Sequence, residues 1–290
     1  MSADLTPVRA IDAVTGLQTP GIAAQRPAWA RSFFGGKIGA ESDRVNGIPL
    51  IAYLDIMDEA HVERSILFAQ KCGPEGLPTS FRLDPRHVVD AVDAHPDRFS
   101  GIIGLDPTEG MTAVRELERA VREYGFIGAH GYPHWFEVAP DDRRWYPIYA
   151  KCIELDVPIQ LQIGHCLVYA KDRPLRSVGR PISLDTVACD FPELKLVGIH
   201  VGWPWTTEMI SVAYKHENVY IGSDAYAPKH WDADFVRFID SWGAHKVLFG
   251  TDFPVIDPRR ARAEIDELGI RPASLQRFLR DNALELYGLA

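Results

Sequence analysis

Cysteine is scarce and scattered: Cys72, Cys152, Cys166 and Cys189 are the only four in 290 residues, and no two form a C-x-x-C pair. That excludes a disulfide framework and suits a reducing compartment, where thiols pack as small core residues. Long hydrophobic runs are absent. Nowhere do eighteen apolar residues follow one another, and the opening stretch MSADLTPVRAIDAVTG has no basic segment ahead of an apolar one. Neither a membrane span nor a secretory leader is predicted, and the expected location is the cytoplasm. Basic runs are lacking too. Lys+Arg number 31 against 40 Asp+Glu, a formal charge of −9, which disfavours nucleic acid and anionic membranes as partners. Low-complexity tracts, internal repeats and linkers are missing, so residues 1–290 read as one domain.

What is present is an ordinary globular composition, 46% hydrophobic and 24% charged, able to bury a core without metal or disulfide staples. Eight short apolar runs recur: 8–14, 62–69, 99–105, 125–130, 157–164, 194–200, 218–223 and 246–250. Rich in Ile, Val and Leu with little polar alternation, they match strands buried on both faces, as in parallel sheets. Amphipathic stretches lie between them. Val114, Leu117, Val121 and Tyr124 step by three, four and three, which places them on one helix face. Stretches 185–190, 206–216 and 234–242 fill similar slots, and a helix near 272–287 closes the chain. Eight alternating units predict an α/β fold of the distorted (β/α)8 TIM-barrel kind, with a doubly wound sheet as the alternative.

Right-handed βα units bring all strand C-termini to one face, where barrel enzymes do their chemistry. The residues expected there are Asp12, Lys71, Asp106, His130, His134, Gln162, His165, His200, Asp224 and Asp252, so four of the ten histidines fall on this rim.

Two motifs stand out: His-Val-Gly-Trp-Pro-Trp at 200–205 and Gly-Thr-Asp-Phe-Pro at 250–254. With Ile11-Asp12 and the eight-strand order, they resemble the amidohydrolase-2 family, which includes aminocarboxymuconate-semialdehyde decarboxylases and related aromatic-acid decarboxylases and hydrolases. The resemblance implies a distorted TIM barrel, often dimeric, with His200 as base and Asp252 binding metal and water. Two departures accompany it. The family has Asp-x-His-x-His at the end of the first strand, where this chain reads Asp12-Ala13-Val14-Thr15-Gly16; its strand 5 ligand slot holds Gln162. A catalytic zinc wants three protein ligands and an open position. Of the inherited set Asp252 clearly survives, so no cofactor is expected, and a metal such as zinc would need a site rebuilt from His200, Asp252 and His165.

The expected catalytic set is therefore His200 as base, Asp252 as its orienter, Lys71 as oxyanion, enolate or Schiff-base group, and His130 as donor. Gln162, His165, His134, Trp203, Trp205, Arg173 and Arg176 are the expected substrate contacts. Lys171, Arg173, Arg176 and Arg180 crowd one loop of an otherwise acidic chain, and guanidinium groups grip carboxylates bidentately. Tyr132, Trp135 and Phe136 would add to an aromatic wall. Each residue also has a purely structural reading: Asp252 as a cap, His130 and His134 as packed rings, Lys71 as a solvated side chain, Asp106 as a turn residue, the basic loop as paired with acids. The reading placed first is a hydrolase acting on an activated carbonyl of a small anionic substrate, a β-keto acid, β-keto thioester or lactone. A non-oxidative decarboxylase of an aromatic or unsaturated acid is second, and a non-catalytic small-molecule-binding barrel third.

Overall fold

All eight apolar runs become strands: β1 (Ala10–Gly16), β2 (Val62–Ala69), β3 (Phe99–Leu105), β4 (Ala129–Gly131), β5 (Ile159–Gln162), β6 (Leu196–Ile199), β7 (Val219–Gly222) and β8 (Val247–Leu248). The structure is a computed structural model that describes residues 8–289; the first seven residues, part of the opening stretch read for a leader, lie outside it. Each strand pairs in parallel with the next in chain order. The two ends of the sheet meet: Ala13 N–H donates to Phe249 O (2.9 Å), Asp252 N–H to Val14 O (2.8 Å) and Gly16 N–H to Phe253 O (2.9 Å). Sequential order with joined ends is a barrel and excludes the doubly wound sheet.

Burial explains the apolar runs. Ile11, Ile66, Phe68, Ile102, Val197 and Leu248 fill the barrel interior, and a second cluster packs the outer strand faces against the helices. In α1 (Met111–Tyr124), Val114 and Leu117 are buried, and Gly125 ends the helix in the left-handed region at φ 66°. Two further helices, α2 (Ile182–Asp190) and α3 (Thr206–Lys215), follow β5 and β6. The C-terminal α4 (Asn282–Tyr287) packs Leu286 and Tyr287 against the interior cluster. No helix of the described residues is long and apolar enough to cross a membrane.

Three features escaped the periodicity. Residues 17–61 form a chain of short helices between β1 and β2, which supplies part of the cleft wall. A short antiparallel pair, Lys71–Cys72 with Phe81–Arg82, follows β2. The third concerns Asp12, expected at the rim. It lies inside β1, fully buried, where its carboxylate accepts from Thr251 N–H (3.0 Å), Thr251 Oγ1–H (2.5 Å) and Val14 N–H (3.3 Å). Asp12 therefore fastens the β1–β8 seam. Burial drives its pKa up and the Thr251 hydrogen bonds oppose this, leaving it at about 7.

Candidate functional site

Backbone strain marks the strand ends. His200 (φ 69°), Val201 (57°), Ala225 (67°) and Asp252 (52°) all adopt left-handed φ, a conformation costing non-glycine residues about 1–3 kcal/mol each. They sit just after β6, β7 and β8, where the chain must turn sharply to aim side chains across the mouth. Both X-Pro bonds of the two motifs, Trp203-Pro204 and Phe253-Pro254, are cis.

These turns bring three donors together. His200 Nε2 lies 3.2 Å from Asp224 Oδ2 and 3.6 Å from Asp252 Oδ2, while the His200 backbone N–H donates to Asp224 Oδ1 (3.0 Å). One ligand atom from each of the three residues falls within 4.8 Å of the others. His200 Nε2 and Asp224 Oδ2 are buried yet make no hydrogen bond. Burial pulls the His200 imidazole down to about 3, with His130 and His134 adding to the effect. Burial likewise raises Asp224 to about 7 and holds Asp252 well above the usual carboxylate range, the latter helped by the Asp224 charge. Buried carboxylates of this kind ionise fully only beside positive charge, and a bound cation inverts the local pKa order. Two carboxylates and an imidazole with unpartnered buried atoms fit a divalent ion such as manganese or zinc.

His200 and Asp252 face a cleft enclosing about 700 Å³, counted out to open solvent, a size suited to a small ligand. Phe34, Phe68, Tyr132, Trp135, Tyr226 and Phe253 form much of its apolar wall. Gln162 and His165 line it as expected. Gln162, the last residue of β5, sets Nε2 3.3 Å from His200 Nδ1 and leaves its buried Oε1 unpartnered. His165 reaches the cleft because Gly164 precedes it at φ 93°, passing so close to Trp203 O that a Cβ would sit 2.2 Å away. The His165 N–H then donates to Trp203 O (2.8 Å).

Arg26, from the β1–β2 insertion, also lines the cleft. Its Nε donates to Gln18 Oε1 (2.6 Å), its Nη1 to Gln70 Oε1 (2.7 Å), and its Cζ lies 4.4 Å from the Phe81 ring centre. Among the described residues it has no carboxylate partner, and its Nη2 makes no hydrogen bond. Neither Arg26 nor Asp224 is among the expected catalytic and substrate-binding residues. Asp224 carries a signal, its place at a strand end; Arg26 carries none, since only the folded insertion brings it to the mouth.

Other expected members lie elsewhere. Lys71 turns away from the cleft to Glu116 (2.5 Å) and Glu109 (3.2 Å), in a network with Arg82 and Asp106; two close carboxylates satisfy its charge. Asp106 caps the turn after β3 by accepting from Thr108 N–H (2.8 Å). His130 is buried outside the cleft lining, stacked 4.7 Å from Phe68. Gln160 Nε2 donates to Ala13 O and Tyr287 Oη, so its Oε1 accepts from His130 Nδ1 (3.0 Å). His134 Nδ1 accepts from Val178 N–H (2.9 Å) and anchors the basic loop. Burial lowers both imidazoles to about 4.

Three of the four cations of that loop are engaged with the protein rather than the cleft. Arg173 donates to Trp135 O (2.7 Å), Arg176 pairs with Glu137 (3.0 Å) and Arg180 with Glu208 (3.0 Å). Trp203 borders an adjoining hollow with Tyr226 and Trp231. Trp205 packs under the Arg180 guanidinium (5.2 Å) and against His165. Of the wall expected from sequence, Tyr132 and Trp135 line the cleft.

Comparison with known proteins agrees with the fold. The amidohydrolase family matches residues 75–289. A 2-keto-4-carboxy-3-hexenedioate hydratase of Sphingobium sp. is 33% identical over 135 residues, 40% of this chain and 38% of that one. A gamma-resorcylate decarboxylase of Polaromonas sp. is 24% identical over 289 residues, 81% of this chain and 86% of its own. Among solved structures, a 5-carboxyvanillate decarboxylase of Novosphingobium aromaticivorans superposes with a TM-score of 0.71 at 17% identity, covering 97% of both chains, and was crystallised with bound manganese. One expectation is corrected. The expected absence of a cofactor is contradicted by that manganese-bound neighbour, and the physical reason in this chain is Asp224, whose carboxylate just past β7 joins His200 and Asp252 in a cluster of three donor side chains. Hydrolysis, placed first from the sequence, is less well supported than the decarboxylase alternative, since these relatives are decarboxylases and a hydratase.

Proposed function

Because this chain belongs to the amidohydrolase-2 family, we propose that it is a metal-dependent, non-oxidative decarboxylase of a hydroxylated aromatic carboxylate. The observation that carries this reading is the His200–Asp224–Asp252 cluster at an aromatic-walled cleft that also holds Arg26, a cation without a carboxylate partner among the described residues. Asp224 and Asp252 would hold the metal, with the His200 ring in the same reach. When bound, the metal supplies Lewis-acid polarisation of the substrate's oxygen atoms.

The chain's own groups supply the rest. Arg26 Nη2 offers a charge-assisted hydrogen bond to the substrate carboxylate, and its two glutamine contacts and the Phe81 ring hold the guanidinium in place. The apolar wall grips the ring and excludes water. Burial disfavours the charged imidazole, so His200 is neutral in the resting site and able to accept a proton, with the carboxylates of Asp224 and Asp252 close enough to stabilise the imidazolium that forms. It takes the proton of the ring hydroxyl and returns that proton to the ring carbon bearing the carboxylate. The carbon–carboxylate bond then breaks, its electron pair restores the aromatic ring, and carbon dioxide leaves with a phenolate as the second product. Gln162 sits at His200 Nδ1 with its Oε1 unpartnered; with the amide turned over, Oε1 accepts from Nδ1–H, which orients the ring and leaves Nε2 free as the base.

The test is turnover of manganese-loaded protein in deuterium oxide with a panel of ortho-hydroxylated aromatic acids. Carbon dioxide release with one solvent deuteron on the ring carbon is the expected result. Solvent oxygen in a new carboxylate would instead restore hydrolysis. Addition of water across a double bond without carbon dioxide would establish a hydratase, the second reading, favoured by the 33% identical stretch shared with the Sphingobium enzyme.

A further inference from the structure

A second group of metal-donor side chains assembles away from the cleft. Asp185 and Cys189 lie four residues apart on α2 and so share one helix face. Just past α3, His216 brings its Nε2 to 2.7 Å from Asp185 Oδ1. Carboxylate oxygen, thiol sulfur and imidazole nitrogen all fall within 4.8 Å of one another. We propose that Asp185, Cys189 and His216 bind a second divalent cation of the thiophilic, zinc-like class, which ties α2 to the C-terminal end of α3.

Donor chemistry sets the class of ion. Thiolate and imidazole favour zinc, cobalt or cadmium over manganese or magnesium, whereas the cluster at the barrel mouth contains no sulfur. Bond lengths of about 2.0 Å to N and O and 2.3 Å to S place tetrahedral donors roughly 3.2–3.8 Å apart. The three donors all lie within 4.8 Å of one another, and the His216–Asp185 pair, at 2.7 Å, would open by about 0.5 Å to take the ion between them, with a fourth position left for water. Cys189 is exposed, which gives the ion an entry path. The Asp185 carboxylate is already ionised, held below its usual range by Lys215 and His216.

One cation occupies the carboxylate now. Lys215 Nζ donates to Asp185 Oδ1 at 2.6 Å, and its mostly exposed side chain can swing into solvent when the ion arrives. In the same event Cys189 passes its thiol proton to solvent, and His216, whose Nε2–H now donates to Asp185, gives up that proton or carries it on Nδ1 instead so that Nε2 can bind the ion. Helices of a (β/α)8 barrel run back toward the strand N-termini, so Cys189 and His216, at or just past the helix C-termini, lie toward the face remote from the mouth, where barrels are stabilised rather than active. The ion therefore acts as a staple between neighbouring helices.

The experiment is a cobalt(II) titration of the full chain, first saturated with manganese, followed by near-ultraviolet sulfur-to-cobalt charge-transfer absorption. The band is expected in the wild-type protein and absent in C189S, a change at an exposed position that leaves the fold intact. K215M removes the competing ammonium and should lower the half-saturating cobalt concentration roughly two- to fivefold, the worth of one surface ion pair. No band in the wild type, a band that persists in C189S, or a K215M protein needing as much cobalt as the wild type overturns the site. Zinc added at fixed manganese should also raise Tm more in the wild type than in C189S; equal shifts overturn the staple.

Discussion

Arg26 and Asp224 show what single side chains contribute at the mouth, one by charge and the other by completing a donor set. Replacing Arg26 with Met removes a hydrogen bond to a charged group worth about 1.5–3 kcal/mol, so KM for the carboxylate substrate should rise about 10- to 100-fold with kcat much less affected. Steady-state kinetics decides it; a loss confined to kcat would remove the anchor role. Asp224→Asn keeps the shape but withdraws the charge facing His200. Elemental analysis should then find the protein depleted of metal while its circular dichroism stays that of the wild type. His200→Ala should lower turnover by about a hundredfold or more without unfolding the chain; unchanged turnover would end its assignment as the proton carrier.

Between elements, two polar devices stand out. Asp12 joins β1 to the segment after β8 through Thr251, and Asp252 follows Thr251 directly, so the same clasp sets where the site carboxylate stands. Asp12→Ala strands the Thr251 and Val14 donors in the interior; at about 2–4 kcal/mol in all, Tm should fall by about 5–10 °C, readable by calorimetry. The Lys71–Glu109–Arg82 network ties the pair after β2 to the turn after β3. Partial burial alone would raise the Glu109 pKa, but the Arg82 hydrogen bond and the Lys71 charge outweigh it and leave the net shift downward. A carboxyl depressed in the folded state stabilises above its ordinary value of 4.5 and loses that contribution as pH falls through the lower folded value. Wild-type Tm should therefore exceed that of Glu109→Gln at pH 7, and the two should converge as the pH drops below 4.5; a gap that is constant with pH would contradict the linkage.

For the molecule as a whole, the proposed metal would couple to barrel closure, because the two carboxylates that would hold it follow β7 and β8 and the His200 base follows β6. Prolonged chelation should abolish carbon dioxide release and lower Tm, with manganese restoring both; at a thousandfold excess over Kd the ion contributes about 4 kcal/mol. The barrel is legible in the amino-acid order, since strands buried on both faces read as short runs rich in Ile, Val and Leu, and each of the eight runs overlaps a strand. His200 and Asp252 are legible for a related reason, lying in motifs that interrupt the ends of two of those runs. Arg26, the partners of Lys71 and the clasp made by Asp12 are not. Each depends on where side chains meet across a closed sheet or a folded insertion, which left-handed turns and distant backbone contacts decide and local pattern does not encode. The amino-acid order alone thus determined the strands, their sequence around the barrel and the face that carries the chemistry. Tertiary structure alone decided which charges share that face, because pairing between residues far apart in the chain exists only once the barrel has closed.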